Sequence, residues 1–195
     1  MTKQLAVWAT TRLADQGVVQ QKDRAVVLYG MEVTIATVIG VVLIILVSIL
    51  GDLPWAWLFF LLSFVPLRRT AGGYHANTHW QCYLVFTLTF ALCVLIERMG
   101  IVTNLIFLVG ILASTVIVLF LSPIIPPNKP LKADGKRRNR CISIWLMVCD
   151  CLLALVSFFC GFDLEYMSFY YYGVLTAVLS LAAAEIKNKK YKGEN

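Results

Sequence analysis

The chain alternates long apolar runs with short polar breaks. Each run holds 15 to 21 residues and is bounded by charged residues, glycine or proline. A helix of about 20 apolar residues spans the hydrocarbon core of a bilayer. The pattern therefore predicts an all-α fold, a polytopic membrane helical bundle of about six membrane segments. The predicted segments are 33–50, 53–67, 82–96, 101–121, 142–162 and 167–186.

Two of these segments are short for a membrane span. Segments 53–67 and 82–96 hold 15 residues each, which is about 22 Å of helix against about 30 Å of hydrocarbon. We expect them to lie tilted in a thinned bilayer, to enter the membrane only part-way, or to be extended by their polar flanks.

The composition excludes an ordinary soluble protein. The 195 residues are 59% hydrophobic and 14% charged, with a mean hydropathy of +0.78, whereas soluble domains average about 45–50% and about 25%. Residues 1–195 are expected to form one membrane-embedded domain. Residues 1–25 lack the continuous apolar core of a signal peptide. Their imperfect amphipathic pattern predicts an interfacial N-terminal helix that stays on the mature protein.

The basic residues predict the orientation of the chain. If the N-terminus is cytoplasmic, 16 of the 17 lysines and arginines fall on inner segments, and Arg98 alone falls outside. This distribution obeys the positive-inside rule. We therefore expect the N-terminus to lie in the cytoplasm and segment 68–82 to form a cytoplasmic loop. The six cysteines show no paired extracellular spacing and are expected to be free thiols.

Segment 68–82, RRTAGGYHANTHWQC, carries the candidate chemistry. It places two histidines, a cysteine, two adjacent glycines and two adjacent arginines between apolar segments. A cysteine with a histidine nearby is the minimum set of a thiol protease. Cys82 opens a predicted helix, where the helix dipole and unpaired N–H groups favour a thiolate. Cys82 is therefore the candidate nucleophile.

Two histidines compete to be the base that activates Cys82. On a continuous helix His79 stands three residues away and can face the thiol, whereas His75 stands seven residues away, about 10.5 Å along the axis. His75 reaches the sulfur only if the chain folds back. The adjacent glycines Gly72 and Gly73 permit such a non-helical loop. Helical geometry alone favours His79.

The segment resembles the active-site segment of the accessory gene regulator B family, in its Arg-Arg and Gly-Gly pairs and in a cysteine seven residues after a histidine. The order of the spans, the stretch PIIPPNKPL at 123–131 and the basic cluster after it are also similar. That family consists of bacterial membrane cysteine endopeptidases that process a quorum-sensing propeptide. The resemblance implies that His75 and Cys82 form the catalytic pair, with His79 a bystander or a substrate contact.

The resemblance also implies the reaction and the partners. The thiolate of Cys82 attacks a peptide carbonyl of a small propeptide, whose C-terminal region leaves, and a thioester acyl-enzyme remains. An internal cysteine of the substrate then closes a thiolactone ring, or a serine a lactone. No metal or cofactor is needed. The expected substrate has an amphipathic leader and an acidic tail, and the expected location is the bacterial cell membrane. A homodimer is expected on size rather than on the resemblance, because such a small bundle leaves little surface to enclose a peptide.

Other polar residues are candidates for supporting roles. An oxyanion is stabilised by donors near the nucleophile, and Gln81 and the backbone N–H groups around Gly72, Gly73 and Cys82 are close in sequence. Side chains suited to orient His75 are found at Asn77, Asp134, Asp150 and Glu185. Asp150 falls within an apolar span, where a carboxylate is either functional or hydrogen-bonded to a neighbouring helix. The sequence favours neither reading.

Segment 122–141 is predicted to be a basic cytoplasmic loop. Such a cluster sets topology or binds anionic lipid. The resemblance adds a second role, docking of the propeptide's acidic tail, which is shared with the two arginines of the motif. Nucleic acid is disfavoured because no aromatic residues are interleaved with the charges. The candidate substrate-binding residues are Arg68, Arg69, Lys136, Arg137 and Arg138.

Two rival functions are compatible with parts of the sequence. His75, His79 and Cys82 are possible zinc ligands, as in a zinc-dependent membrane enzyme or a metal transporter. This reading lacks the glutamate of an H-E-x-x-H motif and an obvious fourth ligand. The other rival is a transporter or signalling subunit in which the segment is incidental. The absence of inverted repeats and of several buried charges disfavours transport.

Overall fold

In a computed structural model of the chain, the described residues are 2–17, 19–20, 23–73, 79–100, 103–124, 133–160 and 164–193. They form helices throughout and contain no strand, which confirms the all-α prediction. The helices are α1 (Thr2–Asp15), α2 (Arg24–Leu50), α3 (Ala56–Ala71), α4 (His79–Arg98), α5 (Asn104–Leu121), α6 (Ala133–Cys160) and α7 (Leu164–Gly193).

Five of these helices are long and apolar enough to cross a bilayer: they include Arg24–Leu50, Gln81–Arg98, Asn104–Leu121, Asp134–Cys160 and Tyr166–Asn188. Helix α3 holds 16 residues, about 24 Å, and so stays shorter than the hydrocarbon core, as expected for the run 53–67. The protein is therefore a polytopic helical membrane protein.

The outward side chains of the spans are apolar. Phe120, Leu50 and Phe159 expose 84%, 83% and 79% of their surface. A soluble protein does not present rows of such side chains to water, whereas lipid tails accommodate them without loss. Because no water reaches that depth, every backbone group must be bonded within its own segment, and helices meet this requirement.

Most of the helices extend beyond the apolar runs that predicted them. Helix α2 begins at Arg24, nine residues before its run, and α6 begins at Ala133, so the second half of the expected loop 122–141 is helical. Apolar composition marks only the part of a helix that lies in hydrocarbon. The backbone hydrogen bonds continue into the polar flanks, which the periodic pattern does not register.

The chain divides into two compact units. The first contains Met1–Val47 and Ala76–Ala91, that is, α1, most of α2 and the first part of α4. Within it, the Arg24 guanidinium donates to the Thr11 hydroxyl over 3.2 Å. Gly40 of α2 lies against the Tyr83 side chain of α4, so these two helices pack closely at that level.

The second unit contains Ser48–His75 and Leu92–Asn195. Helix α7 packs against α3 and α5, and α6 packs against α5 and α3. Its core is aromatic: the Phe107 ring lies 5.1 Å from Tyr171 and 5.2 Å from Tyr172 between centroids. At Gly173 the approach of α7 to α3 is closest, since a Cβ there would overlap the Ser63 hydroxyl and the Phe60 carbonyl oxygen.

In a chain that crosses the membrane back and forth, every second helix ends on the same membrane face. Contacts in the second unit join such helix ends. The Arg98 side chain, at the end of α4, donates to the Gly51 carbonyl over 3.0 Å and pairs with Asp52 at 3.4 Å, in the turn between α2 and α3. The Ile124 N–H, after α5, donates over 3.0 Å to the carbonyl of Ala71, the last residue of α3. Ends predicted to share a membrane face are thus neighbours.

Candidate active site

The segment 68–82 is helical at both ends. Helix α3 continues through both arginines to Ala71, and α4 begins at His79, so Cys82 is the fourth residue of that helix. The expectation of a loop over the whole segment is therefore wrong at its two ends. His75 and Asn77 lie outside the described residues, so their places in the site stay predictions.

Cys82 is an exposed free thiol. It lies in the first turn of α4, next to Gln81, whose side chain is also exposed. An exposed thiol at a helix start is reachable by a peptide or by a reagent. Cys93, one of the other thiols of α4, is buried, and a buried apolar environment suits a packing role.

Gly72 and Gly73 end α3 with backbone conformations that other residues rarely adopt. Their φ angles are +86° and +151°. The Gly72 N–H donates to the Arg68 carbonyl over 3.2 Å, so this N–H is already engaged and is a poor oxyanion donor. A Cβ on Gly72 would overlap the Ile124 carbonyl oxygen. The two glycines therefore let the segment after α5 pack against the end of α3.

The two arginines of the motif differ in their surroundings. Arg68 is half-buried, and its guanidinium donates to the hydroxyl of Ser180 on α7. Arg69 is exposed. The sequence assigned both to substrate binding, and Arg69 is the more exposed of the two.

The basic cluster stands at the start of α6. Lys136, Arg137 and Arg138 are exposed and lie within the first two turns of the helix. The N-terminus of a helix carries a partial positive charge, which repels the three cations. An anion bound at this end of α6 would be stabilised by both the cations and the helix dipole. Arg140 instead donates to the Leu119 carbonyl near the end of α5 over 3.4 Å, where the dipole favours a cation.

The intramembrane carboxylate of Asp150 has a partner on a neighbouring helix. Asp150 is 4% exposed and accepts a hydrogen bond of 2.7 Å from the Tyr170 hydroxyl of α7. A carboxyl group away from water needs such a donor. Of the two readings left open by the sequence, the geometry supports the hydrogen bond between helices. Of the other orienting candidates, Asp134 is exposed and Glu185 half-buried.

We expect Tyr170→Phe to lower the free energy of unfolding by about 1–3 kcal/mol, because it leaves a buried acceptor without its donor. Asp150→Asn is the control, since the amide oxygen still accepts from Tyr170, and it should lose clearly less. The measurement is thermal unfolding of the purified protein in detergent. Equal losses in the two variants would contradict the importance of this hydrogen bond.

Comparison with known protein families gives a match: the sequence model of the accessory gene regulator B (AgrB) family matches residues 8–181. This range is most of the chain and includes the whole segment 68–82. The chain belongs to the AgrB family. Its membership and its apolar helices make it a membrane protein related to quorum sensing. No curated protein matches the chain. No solved structure matches it either.

The AgrB-family assignment confirms the resemblance inferred from the motif, but the roles of individual residues remain predictions. Among the side chains that the structure describes, no three of the His, Cys, Asp or Glu type group as ligands of one metal ion. The zinc hypothesis involves His75 and the His79 side chain, which lie outside that set.

Sequence reasoning missed the residues of α7 that face α3. Ser180 holds Arg68, and Gly173 permits the close approach. A signal for this face was present: small residues recur four, three and four positions apart along α7, on one helical stripe. Small residues mark helix contacts in membranes because they let backbones come close. The stripe consists of Gly173, Ala177, Ser180 and Ala184.

Proposed function

We propose that this AgrB-family protein is a membrane-embedded cysteine endopeptidase that removes the C-terminal region of a small autoinducer propeptide. The observation that carries the proposal is the family match across the segment 68–82, together with an exposed thiol in the first turn of α4 at Cys82. A nucleophile of this kind requires access and a neighbouring base.

The proposed reaction uses His75 and Cys82. The imidazole takes the thiol proton, the sulfur attacks the scissile carbonyl carbon, and the imidazolium returns the proton to the leaving amine. The C-terminal fragment departs and a thioester joins the substrate to Cys82. A thiol within the bound fragment then attacks the thioester, which closes a thiolactone ring and regenerates the enzyme thiol. A hydroxyl in its place would close a lactone.

A membrane site favours ring closure over hydrolysis. The substrate thiol is held close to the thioester, which gives it a high effective concentration. Exclusion of water from the site slows the competing hydrolysis. An amphipathic leader would keep the substrate in the plane of the bilayer and deliver its cleavage site at the depth of Cys82.

Gln81 is the preferred oxyanion donor. It is the third residue of α4, and the N–H groups of the first three helical residues have no acceptor within the helix. Its exposed side-chain amide is a second donor one residue from the nucleophile. By contrast the Gly72 N–H is already used within the end of α3.

Charge guides the proposed orientation and docking. The positive-inside rule places the N-terminus and the segment 68–82 in the bacterial cytoplasm. The acidic tail of the propeptide would then meet exposed cations, for which Arg69 and the α6 cluster of Lys136, Arg137 and Arg138 are suited. A homodimer is part of the proposal, since a small bundle alone offers little surface to enclose a peptide.

The test is chemical trapping of the acyl-enzyme. The full-length protein in lipid vesicles is incubated with a propeptide that has an amphipathic leader, an internal cysteine and an acidic tail, and hydroxylamine is added. We expect the N-terminal fragment to appear as a hydroxamate, and the unquenched enzyme to carry that fragment on Cys82 by mass spectrometry. Cys141→Ala, which removes another exposed thiol, should behave as the unaltered protein.

Other outcomes would reject the proposal. Cleavage without any adduct, and inhibition by a chelator with recovery on adding zinc, would favour the metal-dependent alternative. The absence of cleavage of every candidate propeptide, with the protein folded in vesicles, would favour a non-enzymatic role.

A further inference from the structure

We propose that Arg68 and Ser180 form a positioning clamp that holds the Gly72–Gly73 turn and so directs the chain from α3 to His75. The inference rests on the proposed function, because it assigns these two residues a part in setting the base of that reaction. Neither side chain contacts the substrate in the proposed reaction.

The clamp joins two helices that are distant in sequence. Arg68 lies in the last turn of α3, and its Nη1 donates to Ser180 Oγ on α7. The guanidinium is half-buried and directed at the helix contact, whereas the neighbouring Arg69 is exposed. A long charged side chain is held in a packed position only when its donors are satisfied. The contact therefore restrains the end of α3 against α7.

The backbone of Gly73 lies directly on this contact. A Cβ at Gly73 would overlap Arg68 Nη1 and would lie 2.7 Å from Ser180 Oγ. The φ angle of +151° also excludes most other residues. The glycine is thus required by the clamp itself, because any side chain at this position would occupy the space of the guanidinium.

The other side of the turn is held by backbone. The Ile124 N–H donates to Ala71 over 3.0 Å, and the Ile124 carbonyl oxygen occupies the space where a Cβ of Gly72 would be. The turn is therefore enclosed between the main chain after α5 and the Arg68–Ser180 pair. Two consecutive glycines alone would leave the chain free to take many paths. The enclosure selects one of them.

His75 follows Gly73 by two residues, which span at most about 7 Å of chain. Because this link is so short, a displacement of the turn would displace the imidazole in the proposed site. In catalysis a misplacement of about 1 Å lowers a rate by as much as about a hundredfold. The clamp therefore matters for the base without touching the thiol or the substrate.

The experiment measures the reactivity of Cys82 and needs no propeptide. Full-length protein in lipid vesicles is treated with iodoacetamide at about pH 6, where an ordinary thiol is almost wholly protonated, and alkylation at Cys82 is followed by peptide mass spectrometry. A thiol paired with imidazole reacts as the thiolate and is alkylated fast. His75→Ala provides the rate without the pair.

We expect Ser180→Ala and Arg68→Gln to slow alkylation of Cys82 at about pH 6 by about tenfold, within the range that small misplacements produce. At about pH 9.5, where ordinary thiols are ionised, the two variants should match the unaltered protein. This pH dependence separates loss of positioning from loss of access. Ser168→Ala is the matched control, since it removes a buried hydroxyl of α7 12 positions earlier in the helix.

Each result decides a different point. If the unaltered protein reacts no faster than His75→Ala, the His75–Cys82 pair itself fails, and the clamp fails with it. If it reacts faster but Ser180→Ala and Arg68→Gln keep that rate, the clamp is overturned and the proposed function survives. An equal slowing in Ser168→Ala would show that any loss of helix packing suffices, which also overturns the clamp.

Discussion

Replacement of Cys82 by alanine is expected to abolish processing, with a fall of about 10⁴-fold or more in the rate of propeptide cleavage. The thiol is the only group in the proposed reaction that forms a covalent bond to the substrate, and loss of a nucleophile in such a unit removes nearly all of the chemical rate. The measurement is single-turnover cleavage of propeptide by purified protein in vesicles.

His75→Ala should give a loss of similar order. Because a nucleophile and its base act as one unit, the double variant is expected to be no worse than either single variant. His79→Ala should stay within a few-fold of the unaltered rate, since the AgrB-family pattern does not use that histidine. An inactive His79→Ala beside an active His75→Ala would show that the helical neighbour is the base, as geometry alone suggested.

Gly173→Ala is expected to destabilise the packing of α7 on α3 within the second unit. The added Cβ would overlap the Ser63 hydroxyl and the Phe60 carbonyl oxygen, and it would lie 3.2 Å from the Phe64 nitrogen. Two of these three atoms are backbone and cannot turn aside. Helices α3 and α7 would have to separate, which weakens the bond of 2.6 Å from Ser63 to the Tyr170 carbonyl.

Overpacking of this kind lowers the free energy of unfolding by about 1–3 kcal/mol. Gly110→Ala is the matched control: it adds the same methyl group within the same unit, but its nearest neighbour is the flexible end of the Leu175 side chain at 3.3 Å. Thermal unfolding in detergent compares the two. A Gly173→Ala protein as stable as the Gly110→Ala protein would contradict the close packing of α3 on α7.

The helices were largely predictable, whereas their ends were not. Each of the six apolar runs overlaps one of the helices α2 to α7, because about 20 apolar residues in succession have no stable alternative to a helix in lipid. The ends depend on local hydrogen bonds in polar flanks. At α6 the cluster around Arg137 is therefore helical where composition indicated a loop.

The family of the protein was predictable from the segment 68–82, and the match to the AgrB family confirms it. The thiol-peptidase chemistry assigned to His75 and Cys82 stays a prediction, and the contacts of the described site residues were not predictable. Arg68 and Arg69 were assigned the same role from the sequence, but their surroundings differ: adjacent residues on a helix point about 100° apart, and the Arg68 side chain is the one that bonds to Ser180 of α7. Which one it is depends on how α3 packs.

The sequence by itself determined the class of the protein: a helical membrane protein of the AgrB family, with its candidate catalytic residues between two spans. It did so because hydrophobic run length and residue type are local properties. Tertiary structure alone decided three contacts: Tyr170 donates a hydrogen bond to Asp150, Arg68 donates one to Ser180, and Gly173 leaves space for the Ser63 side chain. Those pairings join residues from different helices, and the relative rotation of packed helices is set by their shared surface rather than by either sequence segment alone.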